Sequence, residues 1–323
     1  MAVKAVPPRR RRVFSPTPTF FLGPALVSIA VLTLLPIVYS IVIAFTNYNL
    51  YTTGGPNNPG LLGAAHFVGL TNFYDLLAPG GPFTQVFVPV FIWTVTFAFI
   101  TTLLNYAAGF LLAVLVNNPR LPERAIYRTL LIVPWALPGA ITILIWQGLL
   151  NQSFGAIDTL LTGIGLPAVP WLTDPNGTRA AIFLVNLWLS FPFNMIVCTG
   201  GLQSIPGDVY EAASIDGASA PQRLRLITLP LVFQVTRPIL VSSFSFEMMN
   251  FGIVYLLNGG GPPRPDTSFA GYTDVLASFI YKLTLTFNRY DKAAALGIII
   301  FIITAILSLI GFRYSGVFKE VLA

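Results

Sequence analysis

The chain has 323 residues, of which 55% are hydrophobic and only 9% are charged. A soluble domain cannot bury that fraction of apolar side chains, so the composition indicates a polytopic membrane protein. The formal net charge of +6 does not indicate a nucleic-acid partner, because the basic residues lie beside hydrophobic runs, where they orient a chain in the bilayer. A single cysteine excludes an intrachain disulfide, and a single histidine weighs against a histidine-based metal site or a Ser-His catalytic pair.

Six long apolar runs predict an all-α membrane protein with about six transmembrane helices, because a helix needs about 20 apolar residues to cross a bilayer. The runs cover residues 20–45, 86–116, 125–150, 180–202, 231–257 and 293–312. A further apolar segment, 269–287, contains Asp274 and Lys282, and we predict that it forms an external helix against the bundle.

Prolines lie inside most of these runs. They are either ordinary features of membrane helices or breaks that allow the bundle to rock between two packings. We expect kinks at Pro36 and Pro238 and a break in the third run at Pro134 and Pro138.

The distribution of lysine and arginine predicts the orientation of the chain. Most of these residues fall on the cytoplasmic side if the amino terminus is inside, as the positive-inside rule favours. We therefore predict a basic cytoplasmic tail at residues 1–19, a transmembrane domain at 20–312 and a cytoplasmic tail at 313–323. The first run is too long for a signal peptide and has no clear small-residue cleavage site. The same orientation places the polar segment 208–230 in the cytoplasm.

The segment 208–230 is a polar island between two apolar runs. Asp208 and Glu211 have the spacing of a capping box, so we predict that a helix begins at Asp208. Gly217 can adopt the left-handed conformation that ends a helix, and Pro221 suits the first turn of a second helix. The pattern predicts two short helices at a sharp angle, a shape that another protein can hold.

Three short runs in this segment resemble the EAA loop of binding-protein-dependent ABC importer permeases. They are Glu211-Ala212-Ala213, Asp216-Gly217-Ala218 and Ile227-Thr228-Leu229-Pro230. The resemblance implies a MetI-like type I permease fold whose cytoplasmic coupling helices dock in a cleft on an ATPase subunit. The residues that it assigns to coupling are Glu211, Ala212, Ala213, Ile215, Asp216, Gly217 and Arg223. The alternative, from the residues alone, is an ordinary amphipathic helix in a loop.

Two polar patches lie in the middle of the fourth and fifth runs, and each has the i, i+3, i+4, i+7 spacing of one helix face. The residues are Asn186, Leu189, Ser190 and Phe193 in the fourth run and Ser243, Phe246, Glu247 and Asn250 in the fifth. Rings beside amides, hydroxyls and a carboxylate suit a sugar, because its C–H faces stack on rings and its hydroxyls need hydrogen-bond partners. Asn186 and Asn250 could equally join helices to each other, and Trp188 and Phe244 fit packing better than ligand contact.

Glu247 is the only ionisable residue of the two patches. An ionised carboxylate at this depth costs about 2.5–3.5 kcal/mol on insertion scales unless water or a partner meets it. One interpretation is a cavity-lining residue that contacts the substrate. The other is a structural role, as an ion pair with a neighbouring subunit or as a protonated carboxyl bonded to the backbone.

The chain looks like the MalF subfamily of maltose transporters over most of its length, most strongly from 180 to 311, in runs such as Leu257-Asn258-Gly259-Gly260-Gly261-Pro262 and Ala270-Gly271-Tyr272-Thr273-Asp274. The resemblance implies that the eight residues of the two patches hold a sugar. Glu247 and Ser190 depart from the maltose-specific pattern, which has an amide and a glycine there, so an oligosaccharide is implied but maltose itself is in doubt. The chain lacks the extra amino-terminal spans and large external domain of enterobacterial MalF, and we expect a compact six-span form.

The resemblance implies a permease subunit of an ATP-driven importer of maltodextrin-like oligosaccharides in the bacterial cytoplasmic membrane. No GxxxxGK[ST] phosphate loop occurs, so we expect a non-enzymatic chain without catalytic residues, metal or cofactor, and ATP with Mg on a partner. The expected partners are a MalG-like second permease, a homodimeric MalK-like ATPase and an external sugar-binding protein. The alternatives are a glycerol 3-phosphate or polyol permease and, in another class, an ion-coupled transporter with Glu247 as proton carrier. An intramembrane enzyme would need a catalytic constellation that the sequence does not offer.

Overall fold

The computed structural model describes residues 16–50, 52, 65–118 and 120–315, so most of the two predicted tails lies outside the described residues. The helices are α1 (Pro16–Ile29), α2 (Leu35–Ala44), α3 (Thr71–Leu77), α4 (Pro82–Val116), α5 (Arg124–Ala136), α6 (Gly139–Leu149), α7 (Ala156–Gly163), α8 (Pro175–Gln203), α9 (Gly207–Ile215), α10 (Ala220–Arg223), α11 (Leu229–Met248), α12 (Phe251–Asn258), α13 (Leu276–Leu285) and α14 (Tyr290–Ser315). Two short strands, β1 (Pro263–Arg264) and β2 (Thr267–Gly271), pair antiparallel. Five helical paths in the described residues can cross a membrane, and α5 with α6 makes a sixth span if the bent pair is counted together. The prediction of about six transmembrane helices is confirmed.

Two π-helical turns each precede a proline. One, Ala30–Leu34, joins α1 to α2 ahead of Pro36, and the other, Leu224–Thr228, joins α10 to α11 ahead of Pro230. Proline has no N–H to donate and its ring crowds the preceding turn. The chain therefore widens, and the residue before each proline donates to the carbonyl five residues back. At Pro36, where the sequence predicts a kink, the helix carries this wide turn.

The third apolar run is divided by a bend of 91° between α5 and α6. Leu137, which precedes Pro138, has extended backbone with ψ of 147°, as the residue before a proline prefers. This ends α5 and allows α6 to begin in a new direction. The break is therefore where Pro138 predicts it, but Pro134 does not contribute to it, because α5 stays helical through that residue.

The fifth span is a helical path, Ala220–Asn258, that is interrupted at Met249 and Asn250. The sequence predicts a kink at Pro238, whereas α11 remains α-helical through that proline. Asn250 precedes α12 with φ of −74° and ψ of 79°, which is not helical. The i+7 spacing therefore does not place Asn250 on the helix face that it predicts.

The external segment 269–287 is not one helix, contrary to the prediction; it is the end of β2 followed by α13. Buried Asp274 lies between the two elements. It accepts the N–H of Gly271 at 2.6 Å and the hydroxyl of Ser278 at 2.7 Å, and it pairs with Lys282 at 2.5 Å. A buried carboxylate needs such donors, so these contacts fix the turn from strand to helix. Side chains of α13 pack on the bundle, as predicted for an external helix.

Helix α9, which opens the polar segment 208–230, begins one residue before the predicted start. Pro206 occupies its N-cap, so Asp208 lies in the first turn and makes no capping bond. The predicted capping box of Asp208 and Glu211 is therefore wrong. Gly217 has φ of +78°, and the helix ends before it, as predicted.

The second helix of this segment, α10, has Pro221 in its first turn, as the sequence predicts. It is not a separate helix, however. It continues through the π-helical turn into α11, so the segment is one short helix followed by the first turns of the fifth span.

Helix α4 contributes to each of the three clusters of buried apolar side chains in the described residues. It crosses α8 closely at Gly109, where a side chain would come within 2.5 Å of Asn194. Helix α8 approaches α11 at Gly201, where an added Cβ would lie 3.1 Å from Val232. Small residues allow this approach of backbones. The crossings hold α4, α8 and α11 around one space.

Candidate functional site

A cavity of about 420 Å³ lies between α4, α5, α8 and α11. Six of the eight residues that the sequence assigns to substrate line it: Leu189, Ser190, Phe193, Ser243, Phe246 and Glu247. The other two, Asn186 and Asn250, lie behind its surface and donate hydrogen bonds to Glu247. The structure therefore brings all eight residues together, but in two layers.

A chain of hydrogen bonds joins α4, α8 and α11 behind the cavity. Asn105 Nδ2 donates to Asn186 Oδ1 at 2.8 Å, and Asn186 Nδ2 donates to Glu247 Oε2 at 2.9 Å. Asn250 Nδ2 donates to the same carboxylate oxygen at 2.8 Å and so bridges the break between α11 and α12. Asn105, Asn186 and Glu247 are 3%, 1% and 4% exposed, so the chain is shielded from competing solvent.

Glu247 uses its two oxygens differently. Every hydrogen bond that it accepts from a described residue falls on Oε2, while Oε1 has no such partner and keeps accessible surface. No cation among the described residues forms an ion pair with it. It is also the only charged residue among those that line the cavity. Two amide donors stabilise negative charge on one oxygen and leave the other free to accept a hydrogen bond.

Aromatic rings form part of the cavity wall. Trp135 on α5 and Phe193 on α8 have ring centroids 6.2 Å apart, and Phe246 is 71% exposed. Trp188 does not line the cavity; its ring lies 6.0 Å from that of Trp146, in keeping with a packing role. The cavity thus has flat apolar faces opposite polar ones.

Sequence reasoning missed six lining residues: Thr102, Asn105, Trp135, Asn194, Ile239 and Ser242. Thr102 and Asn105 are polar residues three apart inside an apolar run, which is a signal that could have been found. Ile239 lies one turn before Ser243, and Ser242 lies one turn before Phe246, so both belong to the same helix face. Trp135 gave no signal, because its position follows from the bend between α5 and α6.

A second cavity of about 550 Å³ lies beside the β1–β2 hairpin and is lined in part by Arg264 and Lys282. Both cations have partners. Arg264 donates two hydrogen bonds to Asp266 at 2.8 and 3.0 Å, which hold the pKa of that carboxyl below its usual range. Lys282 pairs with buried Asp274. This cavity therefore has no free charge to offer a ligand from those side chains.

Helix α9 is attached to the beginning of the fifth span by two side-chain hydrogen bonds. The hydroxyls of Tyr210 and Thr228 are 3.0 Å apart, and Arg223 Nη1 donates to Ser214 Oγ at 2.5 Å. At the free end of α9, Ile215 is 86% exposed. The other predicted coupling residues lie on or just beyond this helix: Glu211, Ala212, Asp216 and Gly217 are exposed and Ala213 is half-buried.

Residues 105–318 match the family described as "Binding-protein-dependent transport system inner membrane component". The chain belongs to this family. The match begins at the first residue of the hydrogen-bond chain behind the cavity and includes the segment 208–230 and both polar patches. It confirms the family that the sequence resembles, a permease of ABC importers, and it agrees with a transport subunit rather than an enzyme.

The similarity to curated relatives extends over more of the chain than the family match does. The chain is 42% identical to the galactooligosaccharides transport system permease protein GanP of Bacillus subtilis, over 92% of this chain and 70% of that protein. It is 37% identical to the maltodextrin transport system permease protein MdxF of the same organism, over 93% and 69% of the two chains. It is 40% identical to the maltose/maltodextrin transport system permease protein MalF of Salmonella typhimurium, but over only 48% of that longer protein.

A solved structure shares the fold. A chain of a bacterial alginate ABC transporter, in complex with an alginate pentasaccharide-bound periplasmic protein, superposes with a TM-score of 0.72. The alignment covers 93% of this chain and 95% of that chain at 24% identity, so the likeness concerns the fold. The predicted MetI-like ABC permease fold is confirmed.

Proposed function

We propose that this chain is a permease subunit of an ATP-driven importer of neutral oligosaccharides, and that the cavity is its half of the translocation pathway. The observation that carries the proposal is the composition of the wall: aromatic rings, amides and hydroxyls, with Glu247 as the only charge. The relatives named above for galactooligosaccharides and maltodextrin support the same class. The volume falls within the range of about 300–1,000 Å³ that is usual for small-molecule sites.

The electrostatics favour a neutral sugar over an anionic one. Glu247 Oε1 can accept a hydroxyl hydrogen bond, and none of the described residues that line the cavity is a cation that could balance a phosphate or a uronate. Glycerol 3-phosphate, the alternative substrate, would be repelled by the carboxylate. In this assignment Leu189, Phe193 and Phe246 contact sugar faces, and Ser190, Ser243 and Glu247 contact hydroxyls.

Transport also needs a source of energy outside this chain. We propose that α9, with Ile215 exposed at its end, docks on a separate ATPase dimer that binds ATP and Mg. The bonds from Tyr210 to Thr228 and from Ser214 to Arg223 join α9 to the fifth span, so a displacement of α9 would reach the cavity. An external sugar-binding protein, a related second permease and a cytoplasmic amino terminus complete the proposed assembly.

The proposal is tested by reconstituting the chain in proteoliposomes with its second permease, ATPase and binding protein. We expect ATP-dependent uptake of radiolabelled galactotriose or maltotriose, and little uptake of trigalacturonate or glycerol 3-phosphate. A non-hydrolysable ATP analogue is the control and should abolish uptake. Preferred uptake of the anionic compounds would contradict the substrate class, and ion-driven uptake without any ATPase would contradict the mechanism.

A further inference from the structure

Asn105 is a buried amide at the edge of the cavity that neither the resemblance nor helix periodicity singles out. We propose that Asn105 is a positioning residue: it fixes the orientation of the Asn186 amide and, through it, the Glu247 oxygen that is offered to the substrate. The inference rests on the proposed oligosaccharide function and names a determinant of its selectivity.

The hydrogen-bond chain from Asn105 to Glu247 has a defined direction from donor to acceptor. An ionised carboxylate only accepts, so Asn186 has to turn Nδ2 towards Glu247. The oxygen of the Asn186 amide then faces α4 and requires a donor there. Asn105 Nδ2 supplies that donor at 2.8 Å. The direction of the chain is therefore set by a donor at one end and a carboxylate at the other.

Removing the Asn105 donor would change the hydrogen bonds of Asn186 and, through them, the position of the Glu247 carboxylate. With no donor on α4, the Asn186 oxygen would be buried without a partner, and the amide would lose the contact that fixes its position on that side. Glu247 Oε2 would then keep only Asn250 as a donor whose position is fixed. The carboxylate would no longer be held with Oε1 towards the cavity, although every wall residue except Asn105 would remain in place.

A direct contact between Asn105 and the substrate is the competing explanation. Asn105 Oδ1 is buried and has no hydrogen-bond partner among the described residues, so that oxygen could in principle meet a ligand. The two explanations differ in whether the effect of Asn105 depends on Glu247. A positioning role requires the carboxylate, and a direct contact does not.

The first experiment measures the dissociation constant of radiolabelled galactotriose and maltotriose on the purified permease–ATPase complex, without binding protein. We expect Asn105→Ala to raise Kd about tenfold, since a charge-assisted acceptor loses its fixed position. Asn105→Asp should be more damaging, because an ionised aspartate presents only acceptors to the Asn186 oxygen. Thr101→Val is the matched control: Thr101 is buried in the same helix, but its hydroxyl bonds only carbonyls of that helix, and Kd should stay unchanged.

The second experiment repeats Asn105→Ala in a Glu247→Gln background. A glutamine side chain can accept or donate, so the orientation of Asn186 no longer matters and the effect should shrink to about twofold or less. An equal loss in both backgrounds would overturn the proposal in favour of direct contact. If Asn105→Ala does not assemble, Asn105→Leu, which keeps the size of the side chain and has no donor, is measured in its place. A wild-type complex that binds neither sugar would refute the proposed function and this inference with it, whereas normal binding with unchanged Kd in the Asn105 variants would refute the inference alone.

Discussion

Replacing Glu247 with glutamine should relax the discrimination against anionic sugars. A sphere of about 420 Å³ is about 9 Å across, so a uronate carboxylate anywhere in the cavity lies within about 9 Å of Glu247. At an effective dielectric constant of about 20, two unit charges at this largest separation repel by about 1.8 kcal/mol, so the repulsion lowers affinity at least about 20-fold. The substitution preserves size and keeps an oxygen for the amides of Asn186 and Asn250, so the complex should assemble normally.

The assay compares galactotriose with trigalacturonate, which share a ring and differ at the carboxylates, by equilibrium binding to the purified complex. Both sugars lose the charged acceptor, which should weaken each of them several-fold, so the ratio of their Kd values isolates the repulsion. We expect the ratio of the Kd for trigalacturonate to the Kd for galactotriose to fall at least about 20-fold in Glu247→Gln. An unchanged ratio would refute the reasoning. Loss of co-purification with the partner subunits would instead support a structural ion pair of Glu247 with a neighbouring chain.

Three further substitutions test other parts of the structure. Ile215→Asp should release the ATPase in co-purification without lowering the melting temperature of the permease, and retention at wild-type stoichiometry would contradict the coupling assignment. Gly109→Val should lower the melting temperature sharply, because a side chain there meets the backbone of α8 at under 3 Å, whereas Gly148→Ala, with open space around it, should not. Asp274→Asn breaks a buried pair and should destabilise the chain by about 3–5 kcal/mol in denaturant unfolding. Asp266→Asn, in an exposed pair, should have no measurable effect.

The spans and their order follow from the sequence because burial in lipid imposes a strong and simple requirement on each apolar run. The positions at which helices are interrupted are harder to predict from the sequence. Pro134 and Pro238 lie inside helices, whereas the fifth span breaks at Met249 and Asn250, where the adjacent sequence contains no proline. The Asn250 side chain compensates by bonding Glu247 across that break, and a contact of this kind depends on tertiary packing.

The candidate site was predictable where its residues belong to regular helices. Ser243 and Phe246 line the cavity through helical periodicity alone. Trp135 reaches it only because α5 and α6 meet at 91°, an angle that no local pattern encodes. Asn105 reaches it because Gly109 lets α4 approach α8 closely one turn away. The missing part of the prediction is therefore the relative placement of helices.

The π-helical turn ahead of Pro230 changes the rotation of one end of the fifth span relative to the other about the helix axis. Each residue of an α-helix advances the rotation by about 100°, so a turn that holds one extra residue rotates everything after it by that angle. A helical wheel that treats Ala220 to Phe246 as one regular α-helix would therefore place the cavity-lining residues of α11 about 100° away from their true position. Deleting one residue from Leu224–Thr228 would restore an unbroken phase and turn the cavity-lining side chains of α11 by about 100°. The extra residue thus sets a fixed angular offset between the end of the span that bonds to α9 and the end that lines the cavity.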